Sequence, residues 1–260
     1  MRRVAVCGDS IVKFIDAVGW KEVPEDSLQI QGQCERLRWT GDGSVLSVAT
    51  GDGNVYNYLA RMPVMNAAMG TSIAYLSSLR EVVVTDAVEN RNPLTITIEL
   101  EPSFMGLGRS FVAMGMNNMC SYYECGTEGR KVAQVQYLAT VDDVKMNNSM
   151  AAVRYDARIQ LHAVVSDPDG KRTRTFPEDG DDSRITAHHL TEQFLIYSTA
   201  QGILVYYSID DDQVPNEYRH ETGISQIYPN ASGTRCIIVD DKGQGLLYNP
   251  VDSTVLEIPR

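Results

Sequence analysis

Paired apolar strands repeat along this chain, and the repeat constrains the fold more than any other sequence feature. In each pair, two runs of alternating apolar and polar residues flank a short turn rich in Gly, Asp or Asn. The pairs are residues 4–8 with 11–16, 45–50 with 55–60, 112–116 with 120–125, 151–155 with 159–164, 195–199 with 204–209, and 237–241 with 246–251. Four of the five intervals between first strands lie between 39 and 44 residues. That spacing is typical of a four-stranded propeller blade.

Two more strands accompany most pairs, and no segment carries a helical apolar stripe. An inner strand precedes the pair at 34–40, 95–100, 141–146, 184–191 and 223–229, and an outer strand follows it at 131–138, 172–176, 214–220 and 254–258. The sequence therefore predicts an all-β fold, a β-propeller of about six four-stranded antiparallel blades in one domain over residues 1–260. Radial repetition of this kind leaves only short, protected sheet edges.

Two places depart from the repeat. One interval is 67 residues long and contains Met62, Met65 and Met69, followed by a hairpin-like pair at 73–76 and 81–85. We interpret it as a blade with an inserted or degenerate element, whose methionines fill an uneven core in preference to forming a partner surface. The first blade has no inner strand before Val4, which predicts an incomplete propeller that is part of a longer protein.

Composition excludes several classes of protein. The chain has 260 residues, a net charge of −11 and a pI near 4.8, without a Lys/Arg cluster, which opposes binding to nucleic acid or to an anionic membrane. No apolar run is long enough to span a membrane or to serve as a signal peptide. The five cysteines are odd in number and scattered, so we expect reduced thiols in a cytoplasmic protein.

The histidines and cysteines form no pattern that indicates a metal site. His188 and His189 are adjacent on a predicted strand, so their rings point to opposite faces and cannot share a metal. His162 and His220 are isolated and are expected to be structural. Cys120 and Cys125 occupy the two ends of one strand and face opposite sides, beyond the reach of a disulfide.

Acidic and glycine-rich motifs are equally uninformative about catalysis. The runs at 178–182 and 210–212 and the segment at 167–170 lack the register of a calcium loop, and we interpret them as solvated loops or turns. Gly106 and Gly108 belong to no nucleotide-binding motif, and no nucleophile motif occurs. We therefore predict no catalytic, cofactor-binding or metal-binding residues, and the partner-binding residues stay unassigned.

Several strings resemble one family. The blades lack the Gly-His and Trp-Asp dipeptides of ordinary WD40 repeats, and Phe14-Ile15-Asp16 is the nearest relic. The longest are Arg38-Trp39-Thr40-Gly41-Asp42-Gly43, residues 72–82 and Val112-Ala113-Met114-Gly115-Met116-Asn117-Asn118. The shorter ones lie at 158–162, 194–197, 218–220, 233–235 and 257–259. These eight strings, in collinear order, resemble the WD-repeat subunits of intraflagellar transport complex A, in the region of their second propeller.

The resemblance implies a non-enzymatic interaction scaffold. Its expected role is in retrograde ciliary transport and in the entry of membrane cargo into cilia. The protein is expected in the cytoplasm, the cilium and the ciliary base. The implied partners are other subunits of the complex, built from propellers and solenoids, and ciliary cargo adaptors. Two alternatives stay open: a vesicle-coat or tethering propeller, and a propeller hydrolase in which Asp142, Asp143 and Asp240 line a central channel.

Overall fold

The computed structural model describes residues 3–60, 64–88, 92–126, 128–165, 173–178 and 182–259. These residues form 27 strands and one 3-10 helix, Pro24–Asp26. None of the described residues belongs to a helix long and apolar enough to cross a membrane. The chain divides into two compact units, Met1–Pro63 and Val64–Arg260.

The first unit contains two antiparallel sheets. One sheet has the order β1-β2-β3, with β4 also paired to β2, and the other has the order β5-β6-β7. Val12 and Phe14 from the first sheet pack with Leu46 and Val48 from the second in one core cluster. The strands are β1 (Arg3–Gly8), β2 (Ile11–Asp16), β3 (Lys21–Glu22), β4 (Leu28–Gln29), β5 (Cys34–Trp39), β6 (Val45–Thr50) and β7 (Val55–Leu59).

The second unit contains five sheets of four strands each. Within each sheet the strands follow one another along the chain, and every neighbouring pair is antiparallel. The strands of the first two sheets are β8 (Asn66–Met69), β9 (Ser72–Ser78), β10 (Glu81–Asp86), β11 (Leu94–Thr97), β12 (Phe104–Leu107), β13 (Phe111–Met116), β14 (Met119–Glu124) and β15 (Lys131–Gln136). The third sheet consists of β16 (Val141–Met146), β17 (Met150–Tyr155), β18 (Arg158–Ala163) and β19 (Arg174–Phe176).

The last two sheets complete the unit. They contain β20 (Ile185–Leu190), β21 (Phe194–Thr199), β22 (Ile203–Ser208), β23 (Gln213–Arg219), β24 (Ile224–Pro229), β25 (Cys236–Asp240), β26 (Gly245–Asn249) and β27 (Thr254–Glu257). The first strands of successive sheets, β8, β12, β16, β20 and β24, lie side by side in this order. We call these five strands the inner strands.

Alternation and turn chemistry explain the hairpins. Along β6 half-buried residues alternate with buried ones, so that Leu46 and Val48 face the core. The turns around β6 contain Gly43 and Gly53 at φ values of +71° and +87°, which glycine adopts without steric cost. All six predicted strand pairs occur in the structure, and the all-β class and the antiparallel four-stranded blades are confirmed.

The number of sheets and one inner strand were predicted wrongly. The described residues form seven sheets, not about six, because the long interval holds a complete four-stranded sheet, β8–β11. The segment predicted as an inner strand at 95–100 contributes β11, the outermost strand of that sheet, and the inner strand that follows is β12. All four residues of β12 are buried, so its sequence does not alternate and gives no strand signal. Met65 and Met69 pack against the apolar core of this region, whereas Met62 lies outside the described residues.

The first sheet is also built differently from the prediction. β1 itself lies beside β5, the first strand of the next sheet, so it takes the inner position that was expected to be empty. The irregularity is instead on the outer side, where β3 and β4 are each two residues long and both pair with β2. Alternation alone identifies a strand but does not give its place within a sheet. That the chain forms one domain over residues 1–260 stays a prediction.

Glycine permits the close approach of two inner strands. A Cβ atom added at Gly106 of β12 would lie 2.7 Å from the carbonyl oxygen of Val144 and 2.8 Å from its Cγ1 on β16. Backbone cannot move aside as a flexible side chain can. Gly106 and Gly108, which match no nucleotide-binding motif, are thus explained by packing.

Gly106→Ala should lower the free energy of unfolding by about 1–3 kcal/mol, because the added methyl group overpacks the contact between β12 and β16. Chemical denaturation of the purified chain measures this change. Gly41→Ala is the matched control, since a Cβ there meets no atom within 4 Å. Equal stability of the two variants would contradict this account of Gly106.

Candidate functional site

Four inner strands of the second unit end around an open depression of about 1410 Å³. The chain leaves β8, β12, β20 and β24 at this end, and the residues that follow each strand form part of the rim. Residues as distant in sequence as Gly70 and Asn230 therefore lie around one cavity. Loops held by a rigid scaffold are a common location for binding sites, which makes the depression the candidate site.

The rim carries more negative than positive charge among the described residues. Asp86, Glu128 and Glu192 supply carboxylates, and Arg109 supplies a guanidinium group. Asp86 Oδ2 accepts hydrogen bonds from Thr71 Oγ1 at 2.8 Å and Ser72 Oγ at 2.7 Å. Such a rim attracts cationic groups of a partner more strongly than anionic ones.

The two adjacent histidines occupy different surroundings, as alternation predicts. His189 lines the depression, and burial, helped by the nearby charge of Lys145, lowers its pKa to about 4, so the ring is neutral at neutral pH. His188 is buried against the neighbouring sheet, where its Nε2 donates a hydrogen bond to the carbonyl oxygen of Ala152 at 3.0 Å. Burial lowers the pKa of His188, although Asp143 lies 4.0 Å from its Nδ1.

The three acids considered for a hydrolase do not form one cluster. Asp143 on β16 pairs with Lys145 at 3.1 Å, and Asp142 beside it is exposed. Asp240 ends β25, which belongs to a different sheet. The acids considered for a hydrolase therefore belong to two different sheets.

Asp240 holds a turn together with His220. Its Oδ1 accepts hydrogen bonds from the backbone N–H groups of Lys242 at 2.9 Å and Gln244 at 2.7 Å. Its Oδ2 lies 3.5 Å from His220 Nε2 and 3.3 Å from Thr222 Oγ1. Desolvation works against the charged carboxylate, but these hydrogen bonds outweigh it and lower the pKa of Asp240. His220 was expected to be structural, but nothing in the sequence indicated its partner, because Asp240 lies 20 residues further along the chain.

His162 belongs to a buried aromatic network. Tyr137 donates a hydrogen bond to His162 Nε2 at 2.7 Å, and the Tyr122 hydroxyl lies 2.7 Å from that of Tyr137. His162 Nδ1 donates to the carbonyl oxygen of Ala163 at 2.8 Å. Burial lowers the pKa of His162, which keeps the ring neutral. Both ring nitrogens are therefore hydrogen-bonded, Nε2 to Tyr137 directly after β15 and Nδ1 to the next residue of its own strand, β18.

The cysteines and the acidic run at 210–212 also have structural surroundings. Cys120 and Cys125 pack into different core clusters, as their predicted opposite faces require, and all five cysteines are free thiols. Asp212 forms an ion pair with Arg174, whose hydrogen bonds lower the pKa of Asp212 to about 2. The segment at 167–170 and most of the run at 178–182 lie outside the described residues. Within the described part of the chain, no three His, Cys, Asp or Glu side chains are grouped to hold a metal ion.

Comparison with known proteins gives the family. Residues 73–260 match the family described as WDR19 second beta-propeller. The chain therefore belongs to the WDR19 second beta-propeller family. WD repeat-containing protein 19 of Homo sapiens is 35% identical over 270 residues, which cover 100% of this chain and 20% of the relative. WD repeat-containing protein dyf-2 of Caenorhabditis elegans is 29% identical over 243 residues, covering 85% of this chain and 18% of the relative. The chain thus spans about a fifth of the length of these relatives.

Solved structures support the fold alone. Hsv2 of Kluyvelomyces marxianus is 11% identical, with a TM-score of 0.54 and coverage of 84% of this chain and 77% of that chain. Apo AztD of Citrobacter koseri is 9% identical with the same TM-score, covering 98% of this chain and 92% of that chain. These similarities agree with the propeller architecture of the WDR19 family and carry no information about ligands.

Asp240→Ala should lower the free energy of unfolding by about 1–3 kcal/mol at pH 7, because two backbone N–H groups and His220 lose their acceptor. The folded-state pKa of Asp240 is lowered, so its contribution is complete above the ordinary carboxyl pKa near 4 and is lost as pH falls through the folded value. The difference from wild type should therefore shrink below about pH 4.

Urea unfolding between pH 3 and pH 7 measures this dependence. Glu257→Ala, at an exposed position on β27, is the control and should change little at any pH. A difference between Asp240→Ala and wild type that stays constant down to pH 3 would contradict the role assigned to the carboxylate.

Proposed function

We propose that this chain is a non-enzymatic interaction scaffold of intraflagellar transport complex A. In this role it supports retrograde ciliary transport and the entry of membrane cargo into cilia. Its partners are other subunits of the complex and ciliary cargo adaptors, and it works in the cytoplasm, the cilium and the ciliary base. The observation that carries the proposal is the similarity to WD repeat-containing protein 19 along the whole of this chain.

The structure offers a physical mechanism for such a scaffold. Stacked sheets form a rigid support, and the depression presents loops from several sheets to one partner segment. The net charge of −11 and the carboxylates of the rim favour partners with basic segments. Charge complementarity of this kind raises the association rate and helps to exclude wrong partners.

The proposal predicts which proteins are recovered with the tagged chain from ciliated cells. Mass spectrometry should find propeller-and-solenoid subunits of the transport complex. The double variant Glu128→Lys/Glu192→Lys reverses two exposed carboxylates of the rim and should reduce this recovery about tenfold.

A charge-matched control separates the rim from the overall charge. Glu217→Lys/Glu257→Lys makes the same change in charge at exposed positions on β23 and β27 and should leave recovery unchanged. Recovery of vesicle-coat or tethering proteins in place of ciliary subunits would contradict the proposal. So would a saturable hydrolase activity that one substitution abolishes.

A further inference from the structure

The sheet β5-β6-β7 is one strand shorter than the other six sheets of the described chain. Its last strand, β7, therefore has one free edge at the third position of the sheet. In the five sheets of the second unit, the strand at the third position is followed by a fourth strand that pairs with it. The described residues supply no strand that pairs with the outer edge of β7.

The backbone groups on this edge can be assigned from the register. Thr50 N–H donates to the carbonyl oxygen of Asn54 at 3.0 Å, and Ala60 N–H donates to that of Ser44 at 2.8 Å. Hydrogen-bonded pairs alternate in an antiparallel ladder, so Tyr56 and Tyr58 also bond to β6. The N–H and C=O groups of Val55, Asn57 and Leu59 consequently point away from β6, toward the free edge.

The sequence of β7 is that of an internal strand. It reads Val-Tyr-Asn-Tyr-Leu, with no charge and no proline. The third strands β14, β22 and β26 likewise contain tyrosines, and Tyr122, Tyr206 and Tyr248 on them are fully buried. On β7, Tyr56 and Tyr58 are only half-buried against the core, while Val55 and Leu59 are 62% and 44% exposed.

Three outermost strands of the second unit carry residues that oppose further pairing, whereas β11 (Leu94–Thr97), like β7, does not. β15 begins with Lys131, β19 contains Arg174, and β23 contains Pro215, Glu217 and Arg219. Charges and proline on an edge strand are the usual means by which proteins prevent the addition of another strand. β7 has none of these features.

We infer that the free edge of β7 is a docking site for an extended segment of a partner protein, which adds as the fourth strand of this sheet. The outward backbone groups of Val55, Asn57 and Leu59 would bond to the incoming strand, as in other cases of β-strand addition. Apolar residues at alternate positions of that strand would cover Tyr56 and Tyr58. Two copies of this chain each carry a charge of −11 and repel each other, which favours a partner segment with basic flanks over a second copy.

This docking site lies on a strand that does not line the depression. Binding to it requires no other ciliary protein, so the purified 260-residue chain is sufficient for the test. The probe is a displayed library of random nonapeptides. Selected peptides should show alternating apolar residues, and fluorescence anisotropy then gives their dissociation constants. Hydrogen exchange of the chain should show new protection of the Asn57 and Leu59 amides when a selected peptide is added.

Two variants target the edge and leave the backbone bonds between β6 and β7 in place, although Asn57→Pro also removes the hydrogen bond that Ser47 Oγ donates to Asn57 Oδ1 at 2.7 Å. Asn57→Pro removes an outward N–H, and Leu59→Lys adds a charge at an exposed position; each should weaken peptide binding about tenfold or more. The matched control is Val214→Lys on the outermost strand β23, where Val214 is 49% exposed, and it should leave binding unchanged. Melting temperatures of all three variants verify that they fold.

Three results would overturn the inference. The first is that no peptide is selected, or that Val214→Lys weakens binding as much as Asn57→Pro does. The second is protection by the peptide that appears on another strand and not on β7. The third is dimerisation of the chain alone that Leu59→Lys abolishes, which would assign the edge to a second copy. Failure to recover ciliary subunits from cells would leave this result unaffected, so the two proposals fail separately.

Discussion

The coverage of both faces of the three middle sheets by their neighbours is the constraint on which the second unit depends. β17 shows it most clearly, because its successive side chains enter two different cores. Ala151 and Val153 pack with residues of the sheet before it, and Met150 and Ala152 pack with residues of the sheet after it. A sheet buried on one face only would leave half of these side chains in water. The apolar contribution to stability is therefore shared between sheets, as in other repeat architectures.

Polar groups trapped between the sheets are kept neutral or bonded to backbone. His162 and His188 are buried, and in both cases burial lowers the pKa, so neither ring carries a charge at neutral pH. Each donates a hydrogen bond to a backbone carbonyl oxygen. Asp240 keeps its charge because backbone N–H groups surround it. Shifted pKa values in a cleft would suggest catalytic groups, but these three side chains stabilise turns and contacts between sheets.

The sequence was sufficient where alternation is strong or where a turn marks a hairpin, and it failed for the short strand β12. β6, β17 and β25 were predicted because one face differs from the other or because a Gly/Asp turn marks the hairpin. β12 was missed because Phe104–Leu107 is buried on all sides, so its inner position was given to the alternating residues of β11. Sequence spacing likewise gave no sign of the depression, since its rim forms only when inner strands distant in the chain come to lie side by side.

The location of the two candidate docking surfaces follows from the same constraint. The faces of the middle sheets are occupied by neighbouring sheets, so these sheets can bind a partner only at the ends of their strands and at their outer edges. The depression lies at strand ends, where loops of several sheets meet and where the rim charge can select a partner. β7 offers an outer edge whose backbone groups have no partner strand among the described residues. A strand that binds there gains backbone hydrogen bonds that hardly depend on its own sequence, so its specificity has to come from alternate side chains and flanking charge.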